Sequence, residues 1–147
     1  MNTQYSDVIE LVLSLMKSYK IDNIYVSNGT SGESALETFF IPYIKIASGE
    51  LQICGASIDL SSRDDINKDF GVELTDGEQL IVAKFVLIGY LSSETFNILQ
   101  MQLHLQDGDF KTYAEQKNLE GKLNALNCLK EEVNYNVKVS GFTSYAW

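Results

Sequence analysis

The chain has 147 residues, of which 45% are hydrophobic and 11% aromatic; that is enough for one domain with a real core and excludes a disordered polymer. Twenty acidic against eleven basic residues leave a net charge of -9, which argues against a nucleic-acid clamp, since such a surface needs Lys and Arg to displace counterions, but not against a wall that nucleic acid slides past. Two cysteines, Cys54 and Cys128, make neither a disulfide framework nor a metal spacing and are expected to be reduced core thiols.

The first element is "DVIELVLSLMKSY". Asp7 with Glu10 suits a helix cap, and Val8, Leu11, Val12, Leu15 and Tyr19 follow with helical spacing. No basic n-region precedes it, so a signal peptide is not expected. The Ser, Asn and Gly cluster from Ser27 to Ser34 reads as a loop. In "ESALETFFIPYIKIASGELQIC", Leu36, Phe39, Phe40, Tyr43, Ala47, Leu51 and Cys54 keep a helical period. Pro42, the only proline, removes one backbone donor and crowds the Thr38 carbonyl, which predicts either a kink or a helix start near Pro42. The alternation in "YIKIASGELQI" leaves a strand as the second reading.

The polar, acidic "SIDLSSRDDINKDFGVELTD" is a connector with room for one helical turn after Ser62. Thr75 and Glu78 then form a capping box: the hydroxyl takes the amide at the third helical position, and the carboxylate reaches back to the cap amide. From Leu80 to Leu91 only Lys84 and Gly89 are not apolar. A helix apolar on every side must be covered on every side, and this run is too short to span a bilayer, which takes roughly 20 residues. The expected cover is a small bundle completed by neighbouring subunits. Residues 99–105, "LQMQLHL", alternate like a strand but also suit a helix end. Leu119, Leu123, Leu126, Leu129, Val133 and Val137 form one face of a last helix. "VKVSGFTSYAW" then reads as an extended tail. The predicted fold is mainly α: a small helical bundle with a central buried helix, spanning 1–137, and an extended C-terminal arm, 138–147.

Sequence signals for chemistry are weak. His104 has no acidic partner at a telling spacing. Asp107 to Asp109 and the Asp64–Asp65 pair lack the ligand ladder of a calcium loop and read as turn formers. "SNGTSG" has no strand–helix context for phosphate binding. Glu73, Asp76 and Glu78 invite an enzymatic reading, but capping explains them sufficiently. No catalytic residue, cofactor or metal is expected. Exposed aromatics mark contact sites, and Phe142, Tyr145 and Trp147 in the tail are candidates for one.

Three blocks stand in a telling order: "FFIPYIKIASGELQICG", then "DLSSRDDINKDFGVELTDGEQLIVAKFVLIGYL", then "DGDFKTYAEQKNLEGKLNALNCLKEEV". Over residues 36–137 the chain resembles neck proteins of tailed bacteriophages, the head-to-tail connector or adaptor-ring type common in phages of gut bacteria. An L-T-D-x-E cap opens the central helix in that family, here Leu74, Thr75, Asp76 and Glu78. A D-F-K-x-Y/F turn, here Asp109, Phe110, Lys111 and Tyr113, leads to the last helix. The resemblance implies a structural protein of the virion neck, assembled in the host cytoplasm. It would form a homo-oligomeric ring, usually a dodecamer, that binds the portal protein and other neck or tail proteins and extends the DNA channel. Genomic DNA would pass an acidic wall without specific binding, and no membrane is involved. A C-terminal arm in such rings reaches into the portal, so Phe142, Tyr145 and Trp147 would be its anchors. The competing reading is a small soluble regulatory or inhibitor protein whose aromatic tail docks a host partner.

Overall fold

In the computed structural model the described residues are 1–16, 32–104 and 109–145, with side chains at these positions except 33, 97–119, 122 and 140–145. Among them are four helices and no strand: α1 (Tyr5–Leu15), α2 (Gly32–Ile53), α3 (Asp76–His104) and α4 (Asp109–Tyr145). They form a small helical bundle in which α3 packs against each of the other three.

The start of α1 differs from the expected cap at Asp7. The Gln4 amide donates to the Asp7 carboxylate at 3.1 Å, so Asp7 is the third helical residue rather than the cap. The shift has a non-local cause. The Thr3 amide donates to the Val72 carbonyl, Phe70 N–H to the Thr3 carbonyl and Tyr5 N–H to the Lys68 carbonyl, each at 2.9 Å. These bonds hold residues 3–4 extended, and the helix begins immediately after them. Tyr5, Val8, Ile9 and Val12 are its buried face.

Helix α2 begins ten residues before Pro42, which removes the first-turn reading of that proline. Pro42 and Thr38 lie on the exposed face, where solvent can take the carbonyl that the missing N–H leaves open. Buried Phe40, Ile44, Ala47, Ser48 and Leu51 recur every three to four residues, which is helical packing and not a strand.

The connector contains turns in place of the helical turn expected after Ser62. It forms part of the core through Ile58, Leu60, Phe70 and Leu74. Phe70 packs on Tyr5 with ring centroids 4.7 Å apart and the rings tilted by 55°. Gly71 is held at φ +69°, where an added Cβ would meet the Ser62 carbonyl oxygen at 2.2 Å, so glycine alone fits. Lys68 bridges this loop to α2, 3.3 Å from Glu37 and 3.0 Å from the Ser34 hydroxyl.

At the start of α3 the capping box is present: Glu78 N–H donates to Thr75 Oγ1 at 3.3 Å, and Thr75 N–H to Glu78 Oε1 at 3.1 Å. Residues 81–87 are all buried. Their cover comes from within the chain, from α1, α2, the connector and α4, so residues 81–87 need no neighbouring subunit to hide them. Residues 99–104 continue α3 as helix; Leu105 lies outside the described residues.

Helix α4 returns along α3. Lys84 and Glu132 meet across the two helices at similar remove from the 105–108 link, so they run antiparallel. Leu126 and Val133 are buried, Leu129 and Val137 half-buried, and Leu123 is 37% exposed. The backbone stays helical to Tyr145, which corrects the extended arm expected from residue 138. Once a helix is nucleated, each further residue adds a hydrogen bond, and Gly141 opposes it by only about 1 kcal/mol. No helix among the described residues is long and apolar enough to cross a membrane.

Candidate functional site: a groove between three helices

On one face of α3, from Phe85 to Phe96, the cover opens. A groove of about 590 Å³ lies between α2, α3 and α4. Phe85, Ile88 and Val133 contribute its apolar lining, with Tyr43 and Ile46 on the α2 side and Phe96 at the far end of α3. Ile46 is 48% exposed and Phe96 67%. Glu50, Cys54, Ser92, Ser93, Lys130 and Asn134 add polar groups.

Helical spacing explains the arrangement. Phe85, Ile88, Ser92 and Phe96 recur at three- and four-residue intervals and so share one face of α3. Tyr43 is fixed by an aromatic cluster: its ring centroid lies 5.7 Å from Phe39, 6.2 Å from Phe40 and 5.9 Å from Tyr90. Gly89 faces α2, and a Cβ built there would stand 3.4 Å from Tyr43 Cδ1 and 3.9 Å from Ile46 Cγ2. That is ordinary contact, so the close approach of the two helices does not require glycine.

One half-buried ion pair ties α4 to α3. Lys84, 6% exposed, donates from Nζ to Glu132 Oε1 at 2.7 Å. The single charge in the apolar run is thereby satisfied by a residue 48 positions away, and the pair pins α4 at one position along α3.

Acidic groups of the connector are held in its turns. Asp64 accepts the Ile66 and Asn67 amides at 2.9 and 3.1 Å and the Asn67 side chain at 2.7 Å. The backbone amide of Asn67, its side chain and the Ile66 amide hold the Asp64 carboxyl below the usual carboxylate range. Asp59 is lowered in the same way by Ser61. The Tyr5 hydroxyl donates to Asp65; burial, then this bond and the Asp65 charge, push the phenol well above its ordinary value. Asp64 is thus a turn former, as expected. Among the described residues no group of three or more His, Cys, Asp or Glu side chains could hold a metal ion.

The positions singled out in the sequence fall as follows. Thr75 and Glu78 are joined in the cap and lie apart from the groove. Asp109, Phe110, Lys111 and Tyr113 occupy the first two turns of α4, and Phe142 and Tyr145 its last turns; their side chains, that of His104 and the whole of Trp147 lie outside the described residues. Cys54 and Cys128 are both exposed, which corrects the expected core thiols: Cys54 follows the last turn of α2, and Cys128 sits on the outward face of α4. The groove itself was missed. Its trace in the sequence is Ile46 on α2, an apolar residue outside the periodic face, and Phe96 on α3, an apolar residue beyond the polar stretch 92–95. No known protein family, characterised protein or solved structure matches the chain.

Proposed function

We propose that this chain is a self-assembling structural subunit of the tailed-phage neck-ring type, set between portal and tail around the DNA channel. The observation that carries the reading is the groove. An acidic subunit leaves Ile46 and Phe96 about half or more exposed at the mouth of an apolar depression, a surface that favours a protein partner. Two further features support it. The L-T-D-x-E stretch forms a working cap on the central helix, as the resemblance implies. The charge of -9 suits a wall past which DNA moves without sticking. Contacts between different patches of identical wedges close into rings when the rotation allows.

The test is native mass measurement and electron microscopy of the protein alone and mixed with a portal protein. A large ring complex on the portal is expected. A monomer that ignores the portal overturns the reading and favours a small regulatory protein.

A further inference from the structure

Residues 3–5, which lead into α1, are tied to the connector by bonds that are distant in sequence. Thr3 N–H donates to the Val72 carbonyl, Phe70 N–H to the Thr3 carbonyl and Tyr5 N–H to the Lys68 carbonyl. The Leu74 amide donates to Thr3 Oγ1 at 2.8 Å, and the Leu74 carbonyl accepts from the Gln79 side chain at 3.0 Å. Gln4 makes an antiparallel bridge with Asp69, and Asp69 makes a second one with Asp64. The backbones of these two aspartates exchange bonds of 2.8 and 3.1 Å. Asp69 is thus the middle line of a three-line ladder, with Gln4 on one side and Asp64 on the other.

These bonds depend on one another. Phe70 and Leu74 are buried, and Thr3 is 6% exposed. If residues 3–5 leave, the Phe70 and Leu74 amides lose their acceptors at buried positions, where water reaches them only when the connector moves as well. Lys68 stands at φ 58°, a left-handed backbone that strains a residue with a side chain, and opening relieves it. The middle of α3 does not draw on this set. Residues 81–87 carry their own helical ladder, and Lys84 and Glu132 pin α4 on α3. Helix α1 keeps Val8, Ile9 and Val12 in the core.

We infer that residues 3–5 are a releasable strap: they and residues 64–74 open and close as one unit, while the body formed by α2, α3 and α4 stays folded. Opening uncovers the Tyr5 and Phe70 rings and Leu74 together, so apolar surface becomes available without melting the bundle. The strap works in this way whether or not the chain assembles into a ring.

Amide hydrogen exchange of the full wild-type chain, read residue by residue by NMR along a series of low urea concentrations, provides the first test. The amides of Tyr5, Asp69, Phe70 and Leu74 should share one opening equilibrium and exchange at least about ten-fold faster than those of Val82 to Val86. Unrelated rates among these amides, or a common rate equal to that of Val82 to Val86, would overturn the strap. Thr3→Val then fills nearly the same space without the acceptor. With its circular dichroism unchanged, it should speed exchange at Tyr5, Asp69, Phe70 and Leu74 together by about ten-fold and leave Val82 to Val86 as they were. Thr3→Ser, which keeps the hydroxyl, should stay close to wild type. The Asp69 amide decides the matter, because it is bonded to Asp64 and not to Thr3. Acceleration confined to Leu74 would reduce Thr3 to one local bond, and equal acceleration of Val82 to Val86 would make residues 3–5 part of the global fold; either overturns the separate unit.

Discussion

Two successive stretches of α3 have different surroundings. Residues 81–87 are all buried, with Phe85 alone among them reaching the groove, whereas Ile88, Gly89, Ser92, Ser93 and Phe96 border it. Helix α1 packs on α3, and none of its residues lines the groove. With 11 residues it spans about 16 Å, against about 43 Å for the 29 residues of α3. Its N-terminus is fixed beside the start of α3, where the Leu74 amide donates to Thr3 Oγ1 at 2.8 Å. A helix of that reach can shield only the first few turns. The lesson is that apolar character along a helix does not by itself locate its contact surface.

Paired substitutions would break this comparison most directly. Leu87, 5% exposed, should not tolerate aspartate: losing a buried leucine costs about 2–5 kcal/mol, and an unpaired buried charge adds more. Phe96→Asp, two and a half turns further on, should stay within about 0.5 kcal/mol of wild type. Thermal melts followed by circular dichroism decide it, and equal midpoints for the two variants would erase the distinction between the two stretches.

Within the covered stretch, Glu132→Gln should cost about 1–2 kcal/mol, because it deprives the Lys84 ammonium of its carboxylate. Glu132 is itself 57% exposed, so water can reach the pair, and the cost stays below that of a fully buried one. Lys84→Met should be close to neutral, since it removes the charge that needs a partner. Urea titrations of both variants compare them, and a larger loss for Lys84→Met would contradict this account.

Thr75→Ala removes one bond of the cap that opens α3 and should cost about 1 kcal/mol. A loss above roughly 3 kcal/mol in denaturant titration would assign Thr75 a tertiary role beyond capping.

Tyr5 supplies a pH test of the covered end. Its folded-state phenol titrates above the unfolded one, so its contribution is complete below the unfolded value of about 10 and is lost as pH rises beyond it. Wild-type stability should fall between about pH 9 and about pH 11 more steeply than that of Tyr5→Phe. Parallel slopes would remove Tyr5 as the cause.

A stabilising change is expected beside the groove. Gly89→Ala should raise stability by up to about 1 kcal/mol, because alanine favours the helix and its methyl finds contact distance from Tyr43. A lower melting midpoint would mean that α2 and α3 are closer there than 3.4 Å contact allows.

What could be read directly from the chain was local. The Thr75–Glu78 cap depends on residues three apart, and the helical character of residues 36–53 and 119–137 on spacings of three and four, so the physics is contained in a short window. Features that depend on distant partners were not legible. Asp7 was displaced from the cap because Thr3 and Tyr5 bond to residues 68–72. Lys84 looked like an interruption until Glu132 reached it from α4. The alternation at Val137 and Val139 suggested an extended arm, yet the backbone of α4 continues as helix. Cys54 and Cys128 were expected inside because thiols usually are, but their exposure depends on which faces of α2 and α4 the bundle leaves outside. The groove is the clearest case. Its apolar residues are visible in the sequence, but their arrangement around an open depression follows from the lengths and crossings of three helices, and those are determined only when the helices pack.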